Sequence, residues 1–555
     1  MACRELKAVF KEYWNRSLEL SPTSATFCGV YKYDDRLDDI SYKAEIAYLA
    51  FMREIEKKVR KIPVKNLDEQ EMISREIMLE NFKLGHQFSK YPTRYLAIEQ
   101  MHGVHLLFCT LSTVHSFKSK KGFANYIKRL KTLPLQLKEV GNHLKRGMKK
   151  GWTLPLPIVE RVISQLDGFA NCESKSSQFF TAAEKHQEKL SKKGWNSIAE
   201  KILSVLDSEV KPAFGQLVTF LRTVYKPACR KGIGICHLPE GKDLYALYIK
   251  RHTSLDLTGE YIHSLGKKEV RRIQGEMKQV IKKLGFKKNL TDFFKHLRQN
   301  PAQHYKSSKQ LVTHHRKLLA KLEKKLPNYF EVLPDEKYRV EPMPAYQEKD
   351  APDAYYMRGN AKAGRPGTYY VNTYAPKTRG KYKAEVLAYH EAVPGHHLQI
   401  TIASQLKNLP EFRKHGGSTA FVEGWALYSE KLAAEMGFYQ DPYSAFGRLT
   451  FELKRACRLV IDTGIHHYGW SRKRAVKYFK ENTSLSEQNI EVEVDRYTIM
   501  PGQALSYKIG ELFILKLRDT VKKKLGKQFD IRKFHKTLLQ NGGLPLSILK
   551  KIEFN

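Results

Sequence analysis

The segment Leu387–Gln399, with the sequence L-A-Y-H-E-A-V-P-G-H-H-L-Q, places a Pro-Gly pair inside an otherwise helical pattern. Pro394 has no amide hydrogen, and its ring clashes with the carbonyl four residues back, which costs about 3 kcal/mol within a helix. Gly395 adds about 1 kcal/mol. Irregular turns of this kind are concentrated at functional sites, so we expect an interrupted or bulged helix that serves such a site.

Histidines on both sides of the Pro-Gly pair predict a metal site. His390 and Glu391 precede the pair, and His396 and His397 follow it. Zinc peptidases hold their metal with two histidines about one helical turn apart, while the glutamate beside the first activates a water molecule. Here the second histidine follows after six or seven residues. Seven residues return the helical phase to about −20° but rise about 10 Å, and six require a bulge. Alternatively, the helix ends near Val393 and the histidines have no shared role.

A second helical segment offers a third ligand. It reads S-T-A-F-V-E-G-W-A-L-Y-S-E, and Ser418 or Thr419 provides its cap. Glu423 lies 27 residues after His396 on this mostly apolar element, and a buried carboxylate needs a partner or a metal ion. Glu430, seven residues further along the same face, could support a ligand from behind. The alternative is that Glu423 is an ordinary surface glutamate.

The length of 555 residues exceeds the size at which one hydrophobic core stops growing, which favours two domains. Helical periodicity dominates the first two thirds, for example over residues 41–60, 68–88 and 122–149. The segment Gly367–Tyr374 alternates like a strand, either as an edge that pairs with an extended peptide or as a hairpin covering the helix. We predict a mainly α fold with two helical lobes around a deep cleft and a small β element beside the metal helix. The predicted lobes are an N-terminal lobe of residues 1–336 and a zinc-binding lobe of residues 337–555.

The composition is strongly basic, with 97 Lys and Arg against 58 Asp and Glu and a formal charge of +39. The basic residues form short runs on the polar faces of predicted helices and are not interleaved with aromatic residues. This pattern indicates a solvated surface, and we expect no specific nucleic-acid partner. No apolar run is long enough for a membrane span. The absence of a signal peptide and seven scattered cysteines without CxxC pairs predict a cytoplasmic protein.

The chain resembles the family called "domain of unknown function 885", whose members carry H-E-A-x-P-G-H-H and are grouped with gluzincin-type zinc metallopeptidases. Further matching segments follow in the family's order: Tyr33–Asp39, Gly367–Tyr374, Val422–Tyr428, Asp462–His466 and Pro501–Tyr507. The resemblance implies a mainly helical fold similar to thimet oligopeptidase, Taq-type carboxypeptidases and angiotensin-converting enzyme. It also implies that Zn²⁺ is held by His390, a histidine following Gly395 and Glu423, with Glu391 as general base.

Hydrolysis also requires a donor for the developing oxyanion, and zinc peptidases commonly use Tyr or His. In the related helical peptidases a tyrosine C-terminal to the third ligand has this part, so Tyr497 is the first candidate and Tyr507 the second. His466 is another possible donor. Three residues are candidate substrate contacts, of which the arginines could bind a carboxylate bidentately: Asn372, Arg458 and Arg496. A packing or ion-pairing role is open for each of these side chains.

These patterns together predict a zinc-dependent peptidase that hydrolyses short peptides. One alternative is a zinc amidohydrolase that acts on a non-peptide amide. Another is a basic helical scaffold that binds nucleic acid and has an inactive site. The intact set of candidate ligands argues against the inactive site, and the lack of basic-aromatic interleaving argues against nucleic-acid binding.

Overall fold

The computed structural model describes residues 2–344, 348, 352–359 and 364–554. Within these ranges the protein is mainly α-helical and has one three-stranded sheet, which confirms the predicted mainly α fold. The two lobes around a deep cleft stay a prediction. A search of the described helices finds none long and apolar enough to cross a membrane.

By its internal contacts the chain divides into two compact units. The first comprises Met1–Leu67 with Met78–Leu244, and the second comprises Asp68–Ile77 with Tyr245–Asn555. The boundary predicted at residues 336/337 falls within the second unit and stays a prediction.

Helices account for nearly all regular structure before the sheet. The first ten are α1 Ala2–Leu20, α2 Pro22–Phe27, α3 Tyr42–Lys61, α4 Glu69–Phe88, α5 Val104–Val114, α6 Lys120–Lys149, α7 Leu156–Asn171, α8 Gln178–Glu184, α9 Lys192–Val205 and α10 Lys211–Phe220. The next four are α11 Gly241–Thr253, α12 Gly259–Lys283, α13 Leu290–Gln299 and α14 Ser308–Glu323. The three long periodic segments noted in the sequence coincide with α3, α4 and α6.

The first unit has its core around α6, whose apolar residues repeat at helical spacing. Its Arg129 is fully buried and holds the acidic segment at residues 33–39. The guanidinium donates to the carbonyl of Arg36 at 2.9 Å and to the hydroxyl of Thr26 at 2.7 Å, and lies 3.3 Å from the carboxylate of Asp34. A buried charge needs such partners, so this family segment has a structural role here.

The three strands are β1 Tyr338–Pro342, β2 Ala354–Met357 and β3 Gly367–Val371. They follow the order β1-β3-β2, with β1 parallel and β2 antiparallel to β3. The predicted strand at residues 367–374 therefore contains β3, which is the central strand and not an edge. It forms an antiparallel hairpin with β2, as one of the two alternatives proposed, and pairs with β1 on its other side. The edge strand that lies beside the next helix is β2, and this places the predicted β element beside the candidate metal helix.

Ten helices follow the sheet: α15 Ala384–Glu391, α16 His396–Gln405, α17 Glu411–His415, α18 Thr419–Glu435, α19 Pro442–His466, α20 Arg472–Asn482, α21 Glu487–Ile499, α22 Ser506–Leu525, α23 Ile531–Leu539 and α24 Leu546–Leu549. The 25-residue helix α19 packs along α12 and is buried on most of its surface. It supplies the second unit with its central helix.

Helices α18 and α22 approach each other backbone to backbone. A Cβ atom on Gly510 would lie 1.9 Å from the carbonyl oxygen of Ala420 and 2.7 Å from the Cα atom of Gly424. A Cβ atom on Gly424 would in turn lie 2.5 Å from backbone atoms of Gly510. Neither position can hold a side chain without moving a helix, because these distances are shorter than van der Waals contact. This close approach brings side chains at the start of α22 next to those of α18.

Candidate metal centre

The helix carrying His390 ends at Glu391, and a separate helix begins at His396. The turn between them requires Gly395, because a Cβ atom there would lie 1.9 Å from the carbonyl oxygen of His390. A single bulged helix is therefore the wrong description. The helix ends before the Pro-Gly pair, as the alternative interpretation proposed. The histidines are nevertheless not separated, since the ring centroids of His390 and His396 lie 4.8 Å apart.

Three side chains from α15, α16 and α18 converge at this turn. His390, His396 and Glu423 each offer one ligand atom, and these atoms lie within 4.8 Å of one another. Nε2 of His396 is 3.5 Å from the carboxylate of Glu423. Among the described residues, no other trio of His, Cys, Asp or Glu brings its donor atoms this close. Two imidazoles and one carboxylate form a donor set that suits zinc with an open fourth position.

Glu430 holds His390 from behind. Its Oε1 lies 2.7 Å from Nδ1 of His390, and both side chains are buried. Burial lowers the pKa of His390 well below its ordinary value, so the ring is neutral. Because Nδ1 of His390 is engaged by a carboxylate, Nε2 is the nitrogen that remains to face the candidate metal centre. This arrangement is typical of metal-ligating histidines. Arg455 lies 3.7 Å from the same oxygen of Glu430.

His397 does not face the candidate metal centre. Its Nε2 lies 3.1 Å from the backbone carbonyl of Glu336, which can only accept, so this nitrogen carries the hydrogen. Its Nδ1 then accepts from the hydroxyl of Tyr356 at 3.0 Å. With both ring nitrogens engaged, the structure brings His396 and not His397 to the group.

Glu391 lies beside the histidines and is restrained by the sheet. The backbone amide of Tyr356, in the edge strand β2, donates to its carboxylate at 2.9 Å. Burial raises the pKa of the Glu391 carboxyl to about 7, which the charge of His396 opposes and that of Glu423 assists. The carboxylate is thus held in position next to the candidate ligands while remaining able to accept a proton.

The two candidate tyrosines occupy different positions. Tyr497 is fully buried, donates its hydroxyl to Glu493 and accepts from Nε of Arg458 at 2.9 Å. Tyr507 is closer to the ligand group: burial opposes ionisation of Glu423, but hydrogen bonds from His396 and Tyr507 hold the pKa of its carboxyl below the usual value. The structure therefore brings the second candidate, Tyr507, to the centre and places Tyr497 behind it.

The remaining predicted residues have other partners. Nε2 of His466 lies 2.9 Å from the backbone carbonyl of Tyr497, and its side chain is fully buried. Asn372 donates to the carbonyl of Glu348 at 2.7 Å and to that of Pro352 at 3.1 Å. Both side chains thus fix local backbone in this structure. Arg458 and Arg496 lie close to Tyr507, with Arg458 4.4 Å from the centroid of its ring and Arg496 3.2 Å from its hydroxyl.

Sequence reasoning missed Tyr356 and Arg455. Tyr356 acts through its backbone amide, which no residue pattern could reveal. Arg455 lies three residues before Arg458 on α19, and this spacing on one helical face was an available signal.

The fold and the site define a mainly helical protein with a buried His–His–Glu group. The chain belongs to the family of bacterial proteins of unknown function termed DUF885, whose profile matches residues 22–552. This confirms the family inferred from the motifs.

Two solved structures share this architecture. A "putative lipoprotein" from Colwellia psychrerythraea has 26% sequence identity and a TM-score of 0.94, covering 99% of this chain and 98% of its own. A "putative lipoprotein of unknown function" from Shewanella oneidensis has 18% identity and a TM-score of 0.77, covering 98% of each chain, and shows the same fold. A comparison with curated proteins finds no match. The cytoplasmic location stays a prediction.

Proposed function

We propose that this protein is a zinc-dependent peptidase that hydrolyses short peptides. The observation that carries the proposal is the convergence of His390, His396 and Glu423 within 4.8 Å, with the carboxylate of Glu391 beside them. A ligand trio supplemented by an adjacent, non-ligating glutamate is the arrangement that metal-assisted hydrolysis of an amide requires.

The three side chains would hold the ion, with Glu430 fixing the ring of His390. Zinc in such a site lowers the pKa of a coordinated water towards about 7 and polarises a substrate carbonyl. Glu391 accepts the proton from the attacking water and returns it to the leaving amine, while the amide of Tyr356 keeps its carboxylate in place. Tyr507 donates its hydroxyl hydrogen to the carbonyl oxygen as negative charge develops there.

The position of the edge strand β2 favours a peptide as the substrate. Its Tyr356 pairs with Tyr369 of β3 on one side, while the Tyr356 amide points to Glu391 on the other. An extended peptide lying along this outer edge would pass its backbone close to Glu391, as in strand addition to a sheet edge.

The test combines metal analysis with peptide hydrolysis by the full chain. We expect about one zinc per chain, and product masses should show cleavage of short peptides. Glu391→Gln should keep its zinc and lose at least about 100-fold in turnover, the lower range for general acid–base catalysis. The matched control is Glu411→Gln, which changes a half-buried glutamate on α17, and it should behave like the parent protein.

Three outcomes would overturn the proposal. They are absence of zinc after reconstitution, full turnover in Glu391→Gln, and cleavage of non-peptide amides without any cleavage of peptides. The last outcome would establish the amidohydrolase alternative.

A further inference from the structure

We propose that Arg496 binds the free C-terminal carboxylate of the peptide, so that the enzyme removes one or two residues from the C-terminus. This inference rests on the proposed peptidase function and specifies its substrate class.

Arg496 is a charged side chain whose hydrogen bonds go to neutral groups, while the charges of Glu493 and Glu423 act on it from further away. Its Nη2 donates to Oε1 of Gln503 at 2.7 Å and to the hydroxyl of Tyr507 at 3.2 Å. Among the residues that the structure describes, no carboxylate forms an ion pair with it. A guanidinium is always protonated and presents a planar fork of donors that matches a carboxylate. The side chain is held in place by Gln503 and Tyr507, and a ligand carboxylate would supply the direct ion pair that no described carboxylate forms with it.

The neighbouring cations are also incompletely compensated. Glu493 is shared between Arg458, at 3.0 Å, and Lys454, at 2.9 Å. Arg458 is 3% exposed, and its buried Nη1 finds no hydrogen-bond partner among the residues that the structure describes. A buried donor without a partner is costly, so such an atom indicates a missing acceptor. Here Glu493 forms direct ion pairs with two cations, and its charge also acts on Arg496, the third cation of the group.

Tyr507 connects this cationic group to the candidate metal centre. Its ring lies 4.4 Å from the guanidinium of Arg458, and its hydroxyl contacts both Arg496 and Glu423. Through the hydroxyl of Tyr507, Arg496 lies at most about 6–7 Å from the carboxylate of Glu423. A peptide extends about 3.3–3.6 Å per residue, so this interval corresponds to one or two residues beyond the bond to be cleaved.

A carboxylate can come from the C-terminus or from an acidic side chain near it, and the experiment separates these sources. The probes are three fluorescent peptides of one sequence: a free acid, a C-terminal amide, and an amide with Asp as its last residue. Affinities are measured by anisotropy with zinc-loaded Glu391→Gln, which binds without turnover. The same three peptides are then assayed for hydrolysis with the parent protein.

We expect the free acid to bind about 10- to 100-fold more tightly than its amide, the range for hydrogen bonds to a charged group. Adding Arg496→Gln should abolish this preference, mainly by weakening the free acid, while Arg496→Lys should restore part of it. In the hydrolysis assay the loss should appear chiefly in KM. The control is Arg472→Gln, because Arg472 is paired with Asp495 at 2.7 Å, and it should retain the preference.

Equal affinity for acid and amide, or a preference that survives Arg496→Gln, would overturn the proposal even if peptides are cleaved. Tight binding of the Asp-terminated amide alone would assign Arg496 to acidic side chains instead. An equal drop in kcat on acid and amide substrates would make Arg496 a stabiliser of the reaction and not a carboxylate-binding residue. Absence of hydrolysis by the parent protein would refute the peptidase function, while the binding result would still decide the role of Arg496.

Discussion

The hydroxyl of Tyr356 donates to Nδ1 of His397 at 3.0 Å, while the amide of the same tyrosine donates to Glu391 at 2.9 Å. His397 therefore fixes the strand that restrains Glu391, and it does so without facing the candidate ligands. Adjacent histidines in the sequence thus have separate tasks, because successive residues on a helix point about 100° apart.

The first prediction separates these two histidines. His396→Ala should lose most of its zinc, because it removes one of three ligand atoms. His397→Ala should keep about one zinc per chain and lose activity, because Tyr356 and its strand are no longer anchored. Metal content after dialysis and peptide turnover measure the two effects. Zinc loss in His397→Ala together with zinc retention in His396→Ala would contradict the assignment.

The second prediction concerns the carboxylate behind His390. Glu430→Gln should weaken zinc binding by about 10- to 100-fold, the usual effect of removing a carboxylate that orients a ligating histidine. Competition with a chelator measures the change. Glu435→Gln is the control on the same helix, because Glu435 is partly exposed and paired with Arg518 at 2.8 Å. An unchanged affinity in Glu430→Gln would show that His390 needs no support.

The third prediction tests the contact between α18 and α22. Gly510→Ala should destabilise the fold by about 1–3 kcal/mol, because its Cβ atom would overlap the carbonyl of Ala420. Gly275→Ala is the matched control: Gly275 lies in the interior of α12 with nothing within 4 Å of the added atom. It should stabilise the protein by about 0.5–1 kcal/mol. Urea unfolding measures both changes, and equal effects would refute the steric explanation.

The fourth prediction is an acid-dependent loss of stability at His535. Its Nδ1 donates to the carbonyl of Tyr329 and its Nε2 accepts from Tyr428, both at 2.8 Å, so the ring is neutral. Burial lowers the pKa of His535 to about 3, against about 6.5 in an unfolded chain. The neutral ring stabilises the fold fully above about pH 6.5, and this contribution is lost as the pH falls from there towards 3.

Between pH 7.5 and 5 the loss from this one group is about 2 kcal/mol. His535→Gln, which keeps a donor and an acceptor, should lower the free energy of unfolding at pH 7.5 but lose about 2 kcal/mol less on acidification. Urea unfolding of both proteins at the two pH values gives the comparison. Parallel losses in the parent protein and the variant would show that His535 does not titrate on unfolding.

Much of the fold was predictable because local patterns determine it. The periodic apolar residues of α3, α4 and α6 specify helices wherever they pack, and Pro394 with Gly395 specifies an interruption. Glu423 was identifiable as a candidate ligand because it is a carboxylate flanked by apolar residues in the first turns of α18. Such signals depend on residues close in sequence and do not require knowledge of the tertiary structure.

The parts that escaped prediction depend on tertiary contacts. The sequence could not show that β3 is the central strand, because its partners β1 and β2 are short and β1 lies far before it in the chain. The sequence favoured Tyr497 over Tyr507 as the donor, and only the packing of α18 against α22 brings Tyr507 next to Glu423. Arg496 was one basic residue among 97, and only the three-dimensional structure shows that no described carboxylate forms a direct ion pair with it.

The contact between Gly424 and Gly510 sets the spacing of α18 and α22, while other residues determine which ligand is bound. Main-chain atoms set the spacing of the two helices, so the distance from Glu423 to Tyr507 does not depend on which side chains surround them. Arg496 and Gln503 lie outside that contact and can be exchanged without altering the spacing. To make the proposed carboxylate-binding residues accept another ligand, a designer can therefore change Arg496 and Gln503 while the spacing of the two helices stays constant.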